Sequence, residues 1–203
     1  MTGRGRLAAL VLVLGGALLG LGVGLALRPQ PQPRPGPAGT PGPVDIGFAQ
    51  DMVVHHGQAI LMAELASGHA HSRQLKVLAR QILLEQAGER GMLQGWLALW
   101  GAPQVPSGPP MQWMPRGSYS HAHGGVLMPG MATPDELREL AERRGNAFDR
   151  EFTMLMIRHH DGGIAMAQAA IKGARLPETR SLAAAMVQAQ AEEIATLRRL
   201  AGG

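Results

Sequence analysis

The sequence predicts an all-α protein, a four-helix bundle made of two duplicated helical hairpins. Hydrophobic residues make up 45% of the chain but aromatic residues only 3%, and an Ala, Leu and Met-rich core favours helices over sheets. The stretch "DIGFAQDMVVHHGQAILMA" at 45–63 returns as "DREFTMLMIRHHDGGIAMA" at 149–167. The distance along the chain between these two copies also aligns a later segment of the first half with a later segment of the second. Each half is therefore a helix, a turn and a helix, and two such hairpins can form a bundle.

The N-terminal segment 1–27 is predicted to be a signal peptide or a transmembrane signal anchor. Arg4 and Arg6 precede an uncharged apolar run at 7–27, and about 20 apolar residues suffice to cross a bilayer. Positive residues before such a run stay in the cytoplasm, so the rest of the chain is expected to be extracytoplasmic, either membrane-anchored or secreted or periplasmic. The chain would contact the membrane through 7–27 if the signal is not cleaved. The absence of cysteine excludes a lipid-anchored cysteine, disulfides and thiolate metal ligands.

Residues 28–44 are rich in Pro and Gly and predict an extended linker. The domain then spans 45–203, with the repeat at 45–100 and 149–203. Basic and acidic residues are equal in number from Asp45 onward, because the excess of arginines lies before it. Such a balanced domain offers no basic patch, so a nucleic-acid partner is not expected.

The elements of the domain follow from its turn and capping signals. Short turns are predicted at 68–72 and 173–177, and a long connection at 101–133 joins the two hairpins. Within "TPDEL", Thr133 is suited to cap a helix, with Pro134 at its first position and Glu136 three residues after the cap. This short helix is expected to run to about Gly145.

The repeated histidines and methionines fall on one face of each long helix. At about 100° per residue, the two adjacent histidines flank a methionine on a stripe about a third of the circumference wide. Thioethers and imidazoles without thiolate suit Cu(I), or another soft ion such as Ag(I). The candidate metal ligands are Met52, His55, His56, Met62, Met156, His159, His160 and Met166.

Four carboxylates accompany these faces. Asp45 and Asp149 lie on the same stripes, and Glu89 and Glu193 interrupt the apolar faces of the partner helices. Buried carboxylates need polar partners, and metal-bound histidines usually donate their second ring nitrogen to such groups. The four carboxylates are therefore predicted to orient the imidazoles.

The long connection adds a second set of candidate ligands. Its methionines and histidines lie among glycines and prolines, where a flexible, exposed tract could capture copper. The possible loop ligands are Met111, Met114, His121, His123, Met128 and Met131.

The stretches "MVVHH", "MIRHH" and "FDREFTMLMIRHHDGGIAMA", with "PGM" at 129–131 followed by "TPDEL", resemble the DUF305 family. The resemblance runs from about Asp45 to Leu200, and the first copy departs from the pattern at Gly57 and Gln58. The resemblance implies a ferritin-like four-helix bundle, export from the cytoplasm and, in some members, copper binding through Met and His.

Three functions remain open at this stage. The first is a non-enzymatic copper-binding protein for sequestration, delivery or resistance, with an unknown protein partner. The second is a ferritin-like metal oxidase, although di-iron bundles carry Glu-x-x-His pairs and this sequence has none. The third is a metal-free structural envelope protein whose His and Glu residues form a polar core.

Overall fold

The computed structural model describes residues 39–114 and 128–202 of the chain. The predicted membrane segment at 7–27, most of the linker and the loop histidines His121 and His123 lie outside these ranges. Among the helices in the described ranges, none combines the length and the apolar character needed to cross a bilayer.

The described residues form five helices, which confirms the all-α prediction. They are α1 (Pro43–His69), α2 (Arg73–Leu99), α3 (Pro134–Glu142), α4 (Gly145–Gly173) and α5 (Pro177–Ala201). Helices α1 and α2 form one hairpin, and α4 and α5 form the other. The four long helices make the predicted bundle, in which α1 and α4 pack together at the centre.

The short helix α3 has the predicted start and an earlier end. The Thr133 side chain accepts from the backbone of Glu136, and the Glu136 carboxylate accepts from the backbone N–H of Thr133 at 2.7 Å. The helix ends at Glu142 because Arg143 already has an extended backbone. Its Glu136 carboxylate also binds the guanidinium of Arg158 on α4 at 2.6 Å, which fixes α3 to the second hairpin.

Two aspartates show that α1 and α4 run antiparallel. Asp45, near the start of α1, accepts from the backbone N–H groups of Arg175 and Leu176, which follow the end of α4, at 2.9 and 3.0 Å. Asp149, near the start of α4, accepts from those of His71 and Ser72, which follow the end of α1, at 2.9 and 2.8 Å. The prediction that these carboxylates orient imidazoles is therefore wrong. Each one instead closes the turn of the opposite hairpin.

Within the described residues the core consists of two hydrophobic clusters, and the histidines lie between them along α1 and α4. One cluster contains Phe148 and Phe152 together with Met62 and Met156. The other, here named the methionine cluster, contains six methionines from five parts of the chain. Its methionines are Met52, Met111, Met114, Met166 and Met186, which are buried, and Met128, which is partly buried.

Burial of the loop methionines corrects their predicted role as an exposed copper-capturing tract. Met111 and Met114 are only 3% and 7% exposed, because residues 102–114 fold back onto α1 and pack in the methionine cluster. The partly buried Met128 packs there too, and Met131 precedes α3. Packing therefore accounts for the positions of Met111 and Met114.

Candidate metal centre

Four buried imidazoles meet at the middle of the bundle. His55 and His56 come from α1, His159 and His160 from α4, and none is more than 1% exposed. The rings of His55 and His159 lie against each other, with 3.8 Å between centroids and 34° between planes. The antiparallel packing of α1 and α4 brings the two His-His pairs together at the same level of the bundle.

Each imidazole uses its Nε2 atom in a hydrogen bond to an oxygen. His56 pairs with Glu89 Oε2 at 2.8 Å, and His160 pairs with Glu193 Oε2 at 2.7 Å. The predicted glutamates therefore do contact imidazoles, one in each half.

The other two imidazoles bind backbone carbonyls. His159 Nε2 lies 3.1 Å from the carbonyl oxygen of His55, and His55 Nε2 lies 3.0 Å from that of Pro129. A carbonyl oxygen only accepts. The Nε2 atoms of His55 and His159 must therefore carry the proton, so the Nδ1 atoms of the neutral rings carry lone pairs.

These Nδ1 atoms are the unusual feature of the centre. All four are buried, and none has a hydrogen-bond partner among the described residues. Buried polar atoms without a partner are rare, because each one loses its interaction with water and gains nothing in return. A buried ring nitrogen with a free lone pair is a candidate donor to a metal ion, and the Nδ1 atoms of His55 and His159 are in this state.

The electrostatic environment keeps His55, His56 and His159 neutral. Burial lowers the pKa of His55 to about 3, helped by the neighbouring His56. Burial and the nearby His160 lower the pKa of His56 to about 3 as well, although Glu193 opposes the shift. Burial also holds the pKa of His159 well below its usual value. A protonated imidazole cannot bind a metal, so low pKa values keep the ligands available at neutral pH.

The pKa of Glu89 shifts in the opposite direction, upward. Burial and the neighbouring Glu193 carboxylate raise its pKa to about 7, while His160 lowers it. Burial and the same two carboxylates also raise the pKa of Glu85, which is one turn away on α2. Carboxyl groups therefore crowd together beside the imidazoles, where a bound cation would favour the ionised forms of Glu85 and Glu89.

The methionines combine across the two halves of the repeat. Met52 and Met166 belong to the methionine cluster, whereas Met62 and Met156 belong to the other cluster. Each cluster therefore includes one of the predicted methionine ligands from each half of the repeat. Because α1 and α4 are antiparallel, the methionine that precedes the histidines on α1 shares its level with the one that follows them on α4.

Sequence reasoning missed the role of the loop at 129–132, which covers His55. Gly130 has φ +76°, and a side chain at Gly130 or Gly162 would collide with backbone of the opposite segment. Gln58 then holds the loop with two hydrogen bonds to the backbone of Ala132, at 2.6 and 2.9 Å. The only signal in the sequence was the presence of "PGM" and "HHDGG", which does not reveal that the two segments touch.

The centre is not a preformed site of three nitrogen or oxygen ligands. Within 39–114 and 128–202, no group of three or more His, Asp or Glu side chains is placed to hold one metal ion. Coordination at this level would therefore combine imidazole nitrogen with thioether sulfur, or follow a shift of side chains.

The fold and centre define a class of small all-α proteins in which a duplicated hairpin encloses histidines and methionines. The chain belongs to the DUF305 family (domain of unknown function), whose profile matches residues 45–201. No protein of curated function matches the chain significantly.

Solved structures of DUF305 proteins resemble the chain. A protein from Streptomyces coelicolor, provisionally described as secreted, is 37% identical over 77% of this chain and 91% of its own, with a TM-score of 0.69. A fragment from Deinococcus radiodurans is 30% identical over 81% and 99%, with a TM-score of 0.66.

A third structure of similar fold contains a metal. It is CopM in a Cu(I)-bound form, 29% identical over 77% of this chain and 94% of its own, with a TM-score of 0.59. CopM has also been solved in Cu(II)-bound and Ag-bound forms.

Proposed function

We propose that the protein is an extracytoplasmic metal-binding protein that holds Cu(I), or Ag(I), with the buried histidines and methionines at the middle of the bundle. One observation carries the proposal. Four buried Nδ1 atoms have no partner, while every matching Nε2 atom is already committed to an oxygen. A metal ion would satisfy the nitrogens that bind it, together with thioether sulfur, and the oxygens would orient the rings, as in most histidine metal sites.

The chemistry of the flanking side chains selects the metal. Met52, Met62, Met156 and Met166 are fully buried on both sides of the histidines. Thioether sulfur favours Cu(I) and Ag(I), whereas zinc prefers nitrogen, oxygen and thiolate. The copper-bound and silver-bound forms of CopM support the same choice.

The proposed role is sequestration, delivery or resistance rather than catalysis. The sequence has no Glu-x-x-His pair of the kind that builds a di-iron oxidase site. The location outside the cytoplasm is supported by the apolar N-terminal run after two arginines and by the similar Streptomyces coelicolor protein, which is provisionally described as secreted.

The test is a competition for Cu(I) between the purified protein and a chromogenic chelator. Replacing both stacked imidazoles, His55→Ala with His159→Ala, should weaken copper binding at least tenfold. His71→Ala is the matched control, because His71 is exposed and its side chain lies outside the centre. If the Ala pair fails to fold by circular dichroism, the His→Gln pair keeps a side chain of similar length without an imidazole. Parent-like copper affinity in a folded double variant would refute the proposal.

A metal-free structural role is the second candidate. It is favoured by the lack of a preformed group of three His, Asp or Glu ligands among the described residues. It predicts that the parent protein itself fails to compete for Cu(I), and that replacing the histidines changes only stability.

A further inference from the structure

Half of the protein's 12 methionines gather in the methionine cluster, at the end of the bundle where α1 begins and α4 ends. Two other methionines, Met92 and Met154, lie on the surface at 43% and 54% exposure. The cluster combines side chains from α1, α4, α5 and both described ends of the long connection. Methionine packs well in such a core, and its thioether sulfur is at the same time a ligand for soft metal ions.

Met111 is held in the cluster in an unfavourable backbone conformation. Its φ angle is +67°, in the left-handed region that residues with a side chain rarely adopt. Strain of this kind persists only where the surrounding structure enforces it, and it is concentrated at functional sites.

The group that enforces it is the buried carboxylate of Asp51, which is only 2% exposed. Asp51 Oδ2 accepts from the backbone N–H of Met111 at 2.7 Å and from the indole N–H of Trp113 at 2.8 Å. Burial raises the pKa of Asp51, and these two hydrogen bonds oppose the shift. Gln50 holds the preceding loop through the carbonyls of Pro103 and Val105, at 2.8 and 3.4 Å. Two polar residues of α1 thus fix the loop so that Met111 and Met114 enter the cluster.

The same two buried methionines each line a cavity. Met111 lines a cavity of about 630 Å³ between the start of α1 and the loop. Met114 lines a second cavity of about 400 Å³ beside the end of α4. Trp113 borders both. A soft ion could therefore pass from either cavity to buried sulfur atoms without crossing the helical core.

We propose that the methionine cluster is a second site for a soft monovalent cation, with Met111 and Met114 as two of its ligands. Thioether ligands bind Cu(I) and Ag(I) and discriminate against Zn(II) and other harder divalent ions. The Asp51 carboxyl group binds Met111 and Trp113, and a bound cation nearby would favour its ionised form. This site shares Met52 and Met166 with the proposed centre, but it needs no imidazole, so the two proposals fail separately.

The test counts bound ions by native mass spectrometry of the full chain loaded with Cu(I) or Ag(I). The variant Met111→Leu with Met114→Leu removes two sulfur atoms and keeps apolar side chains of similar volume. It should bind one ion fewer than the parent. Met92→Leu with Met154→Leu is the matched control, since it removes two exposed sulfur atoms, and it should retain the parent stoichiometry.

Two outcomes separate the proposals. An ion that is lost from the Met111 and Met114 variant but kept by the His55 and His159 variant supports this second site. If the loop variant binds the same number of ions as the parent with the same affinity, the second site does not exist, whatever the histidine variants show. X-ray absorption at the silver edge of the loaded His55 and His159 variant provides a check without loop substitutions. A shell of sulfur neighbours is expected, and a shell of only nitrogen and oxygen would refute the site.

Discussion

The His55 ring lies against the His159 ring at 3.8 Å between centroids, and His159 Nε2 donates to the backbone carbonyl of His55. These residues are equivalent in the repeat, yet the acceptors of their Nε2 hydrogen bonds differ. His159 bonds to a helix carbonyl, whereas His55 bonds to the carbonyl of Pro129 in the loop that precedes α3. The duplicated centre is therefore asymmetric, and the loop breaks the symmetry.

We expect the metal-free protein to lose stability as the pH falls below about 6.5, the usual pKa of histidine in an unfolded chain. The folded pKa of His55 is about 3, so the unfolded state takes up protons first. Each such histidine lowers the free energy of unfolding by up to about 1.4 kcal/mol per pH unit. Urea denaturation between pH 7 and pH 4 measures this slope. It should be shallower in the His55→Gln, His159→Gln variant and unchanged in His71→Gln; an equal slope in the buried variant contradicts the assignment.

Glu89 should have the opposite effect on stability. Its pKa is raised to about 7 in the folded protein, so its contribution is present below pH 4.5 and is lost as the pH rises through 7. Glu89→Gln still offers an oxygen to His56 but does not titrate. The parent should lose stability between pH 5 and pH 8, whereas the Glu89→Gln variant should not. The free energy of unfolding of the variant minus that of the parent should therefore increase over this range, by no more than about 1.4 kcal/mol per pH unit. A pH-independent difference between the two proteins would show that Glu89 titrates normally.

Asp45 should matter for stability and not for copper. Its carboxylate accepts from three backbone N–H groups, those of Gly42, Arg175 and Leu176. Asp45→Ala leaves these donors without their partner and should cost about 2–3 kcal/mol in urea denaturation. Copper affinity of the folded fraction should stay within twofold of the parent.

Asp149→Ala is the matched control for Asp45. Asp149 accepts from two backbone N–H groups, in the equivalent turn of the other hairpin, and it is less buried. A smaller loss of stability is expected. A large fall in copper affinity in either variant, with little loss of stability, would restore the role that the sequence predicted for these residues.

Two adjacent glycines of α4 should respond differently to alanine. At Gly162 a Cβ atom would lie 2.1 Å from the carbonyl oxygen of Pro129, so the loop must move away from His55. We expect Gly162→Ala to cost about 1–3 kcal/mol by overpacking. At Gly163 the nearest obstacle is the far end of the Gln190 side chain rather than backbone, and the cost should be smaller.

Gly88→Ala is the reference for both substitutions. No atom of another segment lies within 4 Å of the added Cβ, so the higher helix propensity of alanine should stabilise α2 by up to about 1 kcal/mol. Thermal denaturation of the three variants gives the comparison. Equal effects at Gly162 and Gly163 would show that the loop does not rest on α4.

Most of the fold could be predicted from the sequence. The repeat predicted the two hairpins and their turns, and the capping signal placed the start of α3 at Pro134. The helical wheel also brought the histidines and the two glutamates to the interior. These features depend on local periodicity, which a single sequence displays directly.

The wrong predictions share one physical cause, because each depends on how segments distant in the sequence are placed against one another. A wheel gives the direction of a side chain but not its height along the axis, and Asp45 lies ten residues from His55, or about 15 Å along the helix. The wheel also cannot show that α1 and α4 are antiparallel, which decides that Met52 and Met166 share a cluster. The burial of Met111 depends on irregular backbone and on one distant carboxylate, Asp51. No periodic pattern records such contacts.

The exchange of aspartates between the hairpins makes the bundle a single cooperative unit. The turn after α1 is closed by Asp149, and the turn after α4 is closed by Asp45. An isolated hairpin would thus lack the group that satisfies its own turn. Partial unfolding of one half would release the other, so the two halves are expected to melt in one transition despite their separate origins in the repeat.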